Sequence, residues 1–192
     1  DLDGDGIPEV FGNNPDNNTL YWMNGEDGTT QHSMANSHSQ FSQGAAVADV
    51  DGDGFAETFM LRGGYLNRRL VRWDHQGNEV WVGDQFGQSA GINPWNQQVM
   101  TSPAFADFNG DGRPEVYLGN NIFDASTGTR LALGNYNASK GARQNWWHQF
   151  STAYDILPDG FCADCDGIEL ICGNTVWSVN NTTFALTAVA SS

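Results

Sequence analysis

The sequence has few positively charged residues: Lys and Arg together number 8 of 192, and Lys140 is the one lysine. Nucleic acids and anionic membrane surfaces are bound largely through clustered Lys and Arg, so this shortage argues against both as partners. No uninterrupted apolar run approaches the about 18 to 20 residues that a membrane-spanning helix needs. We therefore expect no nucleic-acid binding and no membrane insertion of this segment.

Charged residues of either sign make up only 16% of the chain, whereas glycine contributes 23 residues. Short apolar stretches are interrupted roughly every ten residues by Gly, Asn, Asp or Pro. Short strands separated by turn-forming residues are typical of all-β proteins. The composition therefore predicts an all-β fold.

Acidic residues are concentrated in a nine-residue pattern that occurs three times, as "DLDGDGIPE" from Asp1, "DVDGDGFAE" from Asp49 and "DFNGDGRPE" from Asp107. Alternating oxygen ligands, with a glycine that permits a sharp turn, are the arrangement that calcium requires. Eleven of the 23 acidic residues lie in these three loops. Three bound divalent cations would bring the formal net charge from −15 to −9.

A fourth, altered copy begins with "DCDGIE" at Asp164, so that the four copies start at 1, 49, 107 and 164. Repetition at 48 to 58 residues predicts one array of three to four units. We place the approximate repeats at 1–43, 44–101, 102–151 and 152–192. The fourth copy spans six residues from Asp164 to Glu169, which is too short to enclose a cation in the same way.

Each unit is predicted to contain a strand, the acidic loop, a second strand and a hairpin. "GAAVADV" and "AETFMLR" flank the second loop, and "RRLVRWDHQGNEVWVGD" predicts a hairpin that turns at His75 to Asn78. Repeated units of four antiparallel strands are the blades of a β-propeller. An EF-hand is disfavoured because its loop position twelve is Glu, where this chain has Gly12, Met60 and Leu118. We predict a propeller sector of about three to four four-stranded blades, with cation loops between the first two strands of each.

The acidic loop followed by an apolar strand resembles the FG-GAP, or VCBS-type, repeat of integrin α-subunit propellers and of very large bacterial surface proteins. The resemblance extends over essentially the whole chain and implies three calcium ions, one in each intact loop. The ligands would be the side chains at positions one, three, five and nine and the backbone carbonyl at position seven. The implied ligands are Asp1, Asp3, Asp5, Ile7 and Glu9; Asp49, Asp51, Asp53, Phe55 and Glu57; and Asp107, Asn109, Asp111, Arg113 and Glu115. Asn109 lacks the negative charge of an aspartate, which implies a weaker third site.

Three cysteines, Cys162, Cys165 and Cys172, lie in and just after the altered fourth copy. They could be small buried apolar residues, zinc ligands with His148 as the nearest further ligand, or partners in a disulfide. Calcium loops of this kind indicate an extracellular or cell-surface location, because free calcium is plentiful there. In that setting we favour a disulfide between Cys162 and Cys165, with Cys172 buried in its strand.

We expect the protein not to be an enzyme, because no nucleophile elbow or phosphate loop is present and the four histidines are scattered. Trp146 and Trp147 in "NWWHQF" could stack on carbohydrate, whereas Trp73, Trp81 and Trp177 are expected to fill space between blades. The resemblance implies a non-catalytic module of a large extracellular protein, which acts in adhesion to a protein or glycan ligand or as a rigid scaffold. The alternatives are a carbohydrate-binding or polysaccharide-lyase-type propeller and an assembly domain that another chain completes.

The repeat pattern is cut at both ends of the sequence. Asp1 begins an acidic loop with no strand before it, and "TTFALTAVA" near the other end alternates like a strand with no loop after it. An open blade edge would attract other strands. We therefore expect an array that is incomplete at both ends and is filled by flanking blades of the same or another chain.

Overall fold

A computed structural model describes residues 1–14, 16–17, 19–35, 44–63, 69–85, 102–134 and 151–191. In these residues all the regular structure is β, in four antiparallel sheets. None of the described residues forms a helix that could cross a membrane. Trp146, Trp147 and His148, which the sequence singled out, lie outside the described residues. The all-β fold that the composition predicted is confirmed.

Each sheet is a meander, in which strands that follow one another along the chain are hydrogen-bonded neighbours. The first sheet contains β1 (Val10–Asn14), β2 (Thr19–Met23) and β3 (Thr30–Ala35), and the second contains β4 (Ala46–Ala48), β5 (Glu57–Arg62), β6 (Arg69–Trp73) and β7 (Glu79–Gln85). The third contains β8 (Ala104–Ala106), β9 (Glu115–Leu118), β10 (Asn121–Phe123) and β11 (Arg130–Leu133), and the fourth contains β12 (Ser151–Tyr154), β13 (Glu169–Cys172), β14 (Thr175–Val179) and β15 (Leu186–Ser191). The predicted order of strand, loop, strand and hairpin is found in the last three sheets.

The turn between the last two strands of each sheet begins with an Asn or Asp side chain. Oδ1 of Asp74 accepts hydrogen bonds from the backbone N–H groups of Gln76 and Asn78, at 2.9 and 2.8 Å. Such side chains stabilise turns because they replace a backbone acceptor. The same role falls to Asn24, Asp124 and Asn180 in the other three sheets. The hairpin predicted at His75 to Asn78 is therefore confirmed.

Consecutive sheets pack face to face, and each pair of neighbours shares one apolar core. The cores between the first and second, second and third, and third and fourth sheets include Trp22 with Val71, Phe59 with Phe123, and Tyr117 with Trp177, respectively. Strand β9 is buried along its whole length because it has a neighbouring sheet on either face. Trp73 and Trp177 are almost fully buried between sheets, and Trp81 is partly buried there, as the sequence predicted.

Polar contacts also join neighbouring sheets. The indole N–H of Trp81 donates to the carbonyl of Ala125 in the third sheet, at 3.0 Å. The hydroxyl of Tyr117 accepts the backbone N–H of Ala153 in the fourth sheet, at 3.1 Å. Gly128 packs under Trp81 so closely that an added Cβ would lie 2.6 Å from the ring. These contacts fix how the sheets sit on one another and so where the connecting loops lie.

Candidate metal centres

The three acidic loops occupy corresponding places in successive sheets. The second loop (49–57) joins β4 to β5, the third loop (107–115) joins β8 to β9, and the first loop (1–9) leads into β1. The first and second loops touch where Gly4 lies against the Phe55 ring. The approach is so close that a Cβ added to Gly4 would be 2.9 Å from the ring. Packing of the sheets therefore places these two loops side by side.

The carboxylate at position one organises the backbone of each loop. Asp49 accepts the N–H of Gly52 at Oδ1, at 2.6 Å, and that of Gly54 at Oδ2, at 3.0 Å. Both glycines have positive φ, 77° and 93°, which side chains other than glycine rarely adopt. The same two bonds join Asp1 to Gly4 and Gly6, and Asp107 to Gly110 and Gly112. This explains why glycine recurs at positions four and six.

The glutamate at position nine is buried and ties the end of each loop to its beginning. Oε2 of Glu57 accepts the N–H of Val50 at 3.0 Å, and Oε2 of Glu115 accepts that of Phe108 at 2.9 Å. Glu9 accepts the N–H of Leu2 in the same way. Burial raises the pKa of Glu115 to about 7 and also raises the pKa of Glu57. A buried carboxylate among other acids is stabilised by a positive charge beside it.

Carboxylate oxygens converge in two of the three loops. In the first loop, one oxygen from each of Asp1, Asp3, Asp5 and Glu9 lies within 4.8 Å of the others, and in the second loop the same holds for Asp49, Asp51 and Glu57. Oε1 of Glu9 is buried and has no hydrogen-bond partner among the described residues; Oε1 of Glu169 shares this state, but no group of carboxylates converges on it. An all-oxygen set with an unsatisfied buried oxygen fits a hard cation such as calcium.

The remaining predicted ligands are not brought into these groups. Oδ1 of Asp53 accepts the N–H of Phe55 at 2.8 Å, and Asp53 does not belong to the second group. Among the described residues, the acids of the third loop form no such group, and Nδ2 of Asn109 donates to Asp111 at 3.1 Å. The carbonyl ligands at Ile7, Phe55 and Arg113 stay predictions.

Two side chains from outside the loops reach the carboxylate at position three. Nε2 of Gln31, on β3, donates to Oδ2 of Asp3 at 2.6 Å. The guanidinium of Arg72, on β6, donates to Asp51 and lies 3.3 Å from Oε2 of Glu57. The sequence pattern identified neither residue as part of a site. Arg72 could have been noticed because it lies two residues after Leu70 in "RLVRW". Both side chains are therefore on the same, buried face of the strand.

The fourth loop begins earlier than the sequence pattern suggested, so the start at Asp164 is wrong. Oε2 of Glu169 accepts the N–H groups of Ile156 and Leu157, at 2.9 and 3.1 Å, as the other position-nine glutamates accept the second residue of their loops. Asp155 follows β12 as Asp49 follows β4. The fourth loop therefore runs from Asp155 to Glu169, and it is longer than the others rather than shorter. The signal that identifies it is "AYD", which matches "VAD" and "FAD" before the second and third loops.

The additional residues of the fourth loop contain a disulfide between Cys162 and Cys165, whose Cα atoms are 5.1 Å apart. Cys172 is free and buried in β13, and burial raises the pKa of its thiol to about 11. A zinc site built on all three cysteines is therefore incompatible with this structure, because disulfide sulfurs are not thiolate ligands.

The third and fourth loops border a cleft of about 220 Å³. Carboxylates and amides of Asp107, Asn109, Asp164, Asp166 and Asn181 line it. Asp164 and Asp166 accept hydrogen bonds within this region, from Asn180 and from the backbone of Gly160, each at 2.7 Å. These two carboxylates thus have structural partners already.

Residues 1–60 match the family model of the FG-GAP-like repeat. The resemblance inferred from the acidic loops is thereby confirmed for this stretch, which contains the first and second loops. Among solved structures, the chain is similar to the biofilm matrix protein Bap1 of V. cholerae, with a TM-score of 0.61 and 21% identity over 97% of this chain. At this identity the similarity establishes a shared fold, and the matched region is 28% of the Bap1 chain. No curated protein sequence matches the chain.

Proposed function

We propose that this chain is a non-catalytic, calcium-stabilised β-propeller segment of a large extracellular or cell-surface protein, which serves in adhesion or as a rigid scaffold. The observation that carries the proposal is the convergence of carboxylates in the first and second loops, at the same place in two packed sheets. The FG-GAP-like repeat over residues 1–60 supports it.

Calcium suits these loops better than other common cations because their ligands are all oxygen and mostly carboxylate. In the absence of a cation, Asp1, Asp3, Asp5 and Glu9 crowd four negative charges into one small region. Binding of calcium relieves this repulsion only in the folded loop, so that binding energy becomes folding energy. We propose three ions, one in each intact loop, with the ligands that the sequence pattern implies.

Two features support a propeller. Four meanders pack in chain order, each against the next, which is the arrangement of blades around an axis. The first and second loops lie side by side, as loops at one end of a propeller do. The flanking blades that would complete the ring belong to the same polypeptide or to another chain.

Three considerations support the proposed extracellular location. Multi-carboxylate loops of this kind would be filled by the calcium that is plentiful outside cells. The disulfide of the fourth loop is typical of oxidising compartments. Bap1 is described as a biofilm matrix protein, which accords with a role outside the cell. Cation binding accounts for the converging carboxylates of the first and second loops, so these need no hydrolytic role.

Calcium content and stability test the proposal together. We expect the purified chain to bind calcium in equilibrium dialysis and to lose thermal stability when a chelator is added. Glu9→Gln should release one ion and part of the calcium-dependent stability, because it removes a buried ligand charge. Glu26→Gln is the matched control, since Glu26 is exposed on the turn between β2 and β3. No bound calcium at millimolar concentration, with an unchanged melting temperature in chelator, would refute the proposal.

Adhesion and scaffolding are separated by a second measurement. Labelled chain applied to a glycan array with calcium should bind if the module recognises carbohydrate. Binding that chelator abolishes would favour adhesion through the folded propeller, whereas an array without signal would favour a protein ligand or the scaffold role.

A further inference from the structure

Arg72, on β6, is a buried cation beside the second loop. The residue is 5% exposed, and its guanidinium contacts Asp51 and Glu57, which both belong to the converging carboxylate group. A buried guanidinium is stable only when acids of this kind compensate its charge. Conversely, the acids of this loop have a positive charge beside them from the protein itself.

The corresponding places in the other sheets are apolar. Arg72 lies opposite Phe59, two residues after the loop glutamate. Strand pairing puts Trp22, Ile122 and Val176 at the equivalent places in the first, third and fourth sheets. Arginine at this place is therefore particular to the second loop, although the loop sequence itself matches the first.

The first loop has the opposite electrostatic balance. Four carboxylates converge there, and the side chain that reaches Asp3 is the neutral amide of Gln31. The sequence contains no Lys or Arg before Arg62. No Lys or Arg side chain of the first sheet therefore competes with a bound cation, and the positive group that lies near this loop is the terminal amine of Asp1, 3.9 Å from Oε2 of Glu9.

We propose that Arg72 is a built-in counter-cation of the second loop. It keeps that loop folded when calcium is absent, and it makes the loop bind calcium more weakly than the first loop does. The physical reason is that the guanidinium satisfies Asp51 and Glu57 and repels a divalent cation placed a few ångströms away. This inference rests on the proposed calcium-binding function of the loops.

The test isolates the second loop. Glu9→Gln and Glu115→Gln each remove a buried ligand charge from the first and third loops, while the amide oxygen can still accept the N–H of Leu2 or Phe108. In this background, isothermal titration with calcium compares Arg72 with Arg72→Met. We expect Arg72→Met to raise the calcium affinity of the second loop by at least about tenfold. Arg72→Lys keeps the positive charge and should stay within about threefold of Arg72.

Arg62→Met is the matched control. It removes the same charge from the same sheet, but Arg62 pairs with Glu79 and not with a loop acid. It should leave calcium affinity unchanged. An affinity that is equal or lower in Arg72→Met, with native near-ultraviolet circular dichroism, would overturn the inference. A variant that folds only with calcium would support it, because the ion then replaces the missing cation.

A second measurement decides the matter if Arg72→Met does not fold at all. With the third loop disabled by Glu115→Gln, the chain should show a tighter and a weaker binding step. Glu9→Gln should abolish the tighter step, and Glu57→Gln should abolish the weaker one. Tighter binding by the second loop than by the first, or equal affinities of the two loops, would overturn the role of Arg72. Either result would leave the proposed function intact. Failure of every loop to bind calcium would instead refute the proposed function itself.

Discussion

The backbone N–H of Gly54 donates to Oδ2 of Asp49 across five residues of chain, at 3.0 Å. The same bond joins Gly6 to Asp1 at 2.9 Å and Gly112 to Asp107 at 2.8 Å. Each loop is thus bent around its first carboxylate by backbone donors. In the first and second loops, the acids at positions three and nine also converge on this first carboxylate.

Gly54→Ala is expected to destabilise the fold by about 1 kcal/mol or more, because Gly54 has a φ of 93° that alanine adopts only with strain. Chemical denaturation in calcium measures the change. Gly167→Ala is the control, since it has no such φ and an added Cβ there meets nothing within 4 Å. Equal effects of the two substitutions would show that loop curvature does not depend on Gly54.

Glu169→Ala is expected to destabilise the protein by about 2 to 3 kcal/mol, because it removes the buried acceptor of the Ile156 and Leu157 N–H groups. We expect the loss to be the same with calcium and with chelator, since no cation is assigned to the fourth loop. The loss of stability caused by Glu9→Ala should be larger with calcium than with chelator. A loss at Glu169 that depends on calcium would contradict this assignment and would point to a fourth ion.

The sequence predicted the fold and the loop residues more fully than the contacts made between strands. The alternation of apolar residues and the repeated acidic pattern depend on local sequence, so strands, hairpins and the loops at 1–9 and 49–57 could be placed. Arg72 could not, because its contact with Asp51 depends on strand pairing across 21 residues. The start of the fourth loop was misplaced because "DCDG" imitates the motif more closely than Asp155, whose role depends on the pairing of Tyr154 with Glu169.

Thiol counting tests the cysteine assignments. Without reductant, we expect no reactive thiol in the folded chain, because Cys172 is buried and burial raises its pKa to about 11. One thiol should react after unfolding, and three should react after unfolding with reductant. If three thiols react in the unfolded chain without any exposure to reductant, Cys162 and Cys165 are not paired.

Tyr117→Phe tests the polar contact between the third and fourth sheets. The change leaves the N–H of Ala153 without its acceptor, and we expect a loss of about 1 to 2 kcal/mol in the free energy of unfolding. Tyr21→Phe is the matched control, because its hydroxyl accepts an exposed bond from Asn17. Tyr21→Phe should change the free energy of unfolding by no more than about 0.5 kcal/mol. A comparable loss at both tyrosines would mean that the hydroxyl of Tyr117 does not help hold the sheets together.

Calcium-dependent ordering of the loops is the central claim, and amide hydrogen exchange followed by mass spectrometry tests it most directly. The chain is compared in calcium and in chelator, and exchange is assigned to peptides that cover each loop. We expect calcium to slow exchange in residues 1–9, 49–57 and 107–115, most strongly in the first loop, and to leave residues 155–169 unchanged. Exchange that is identical in calcium and in chelator throughout the first three loops would contradict the account.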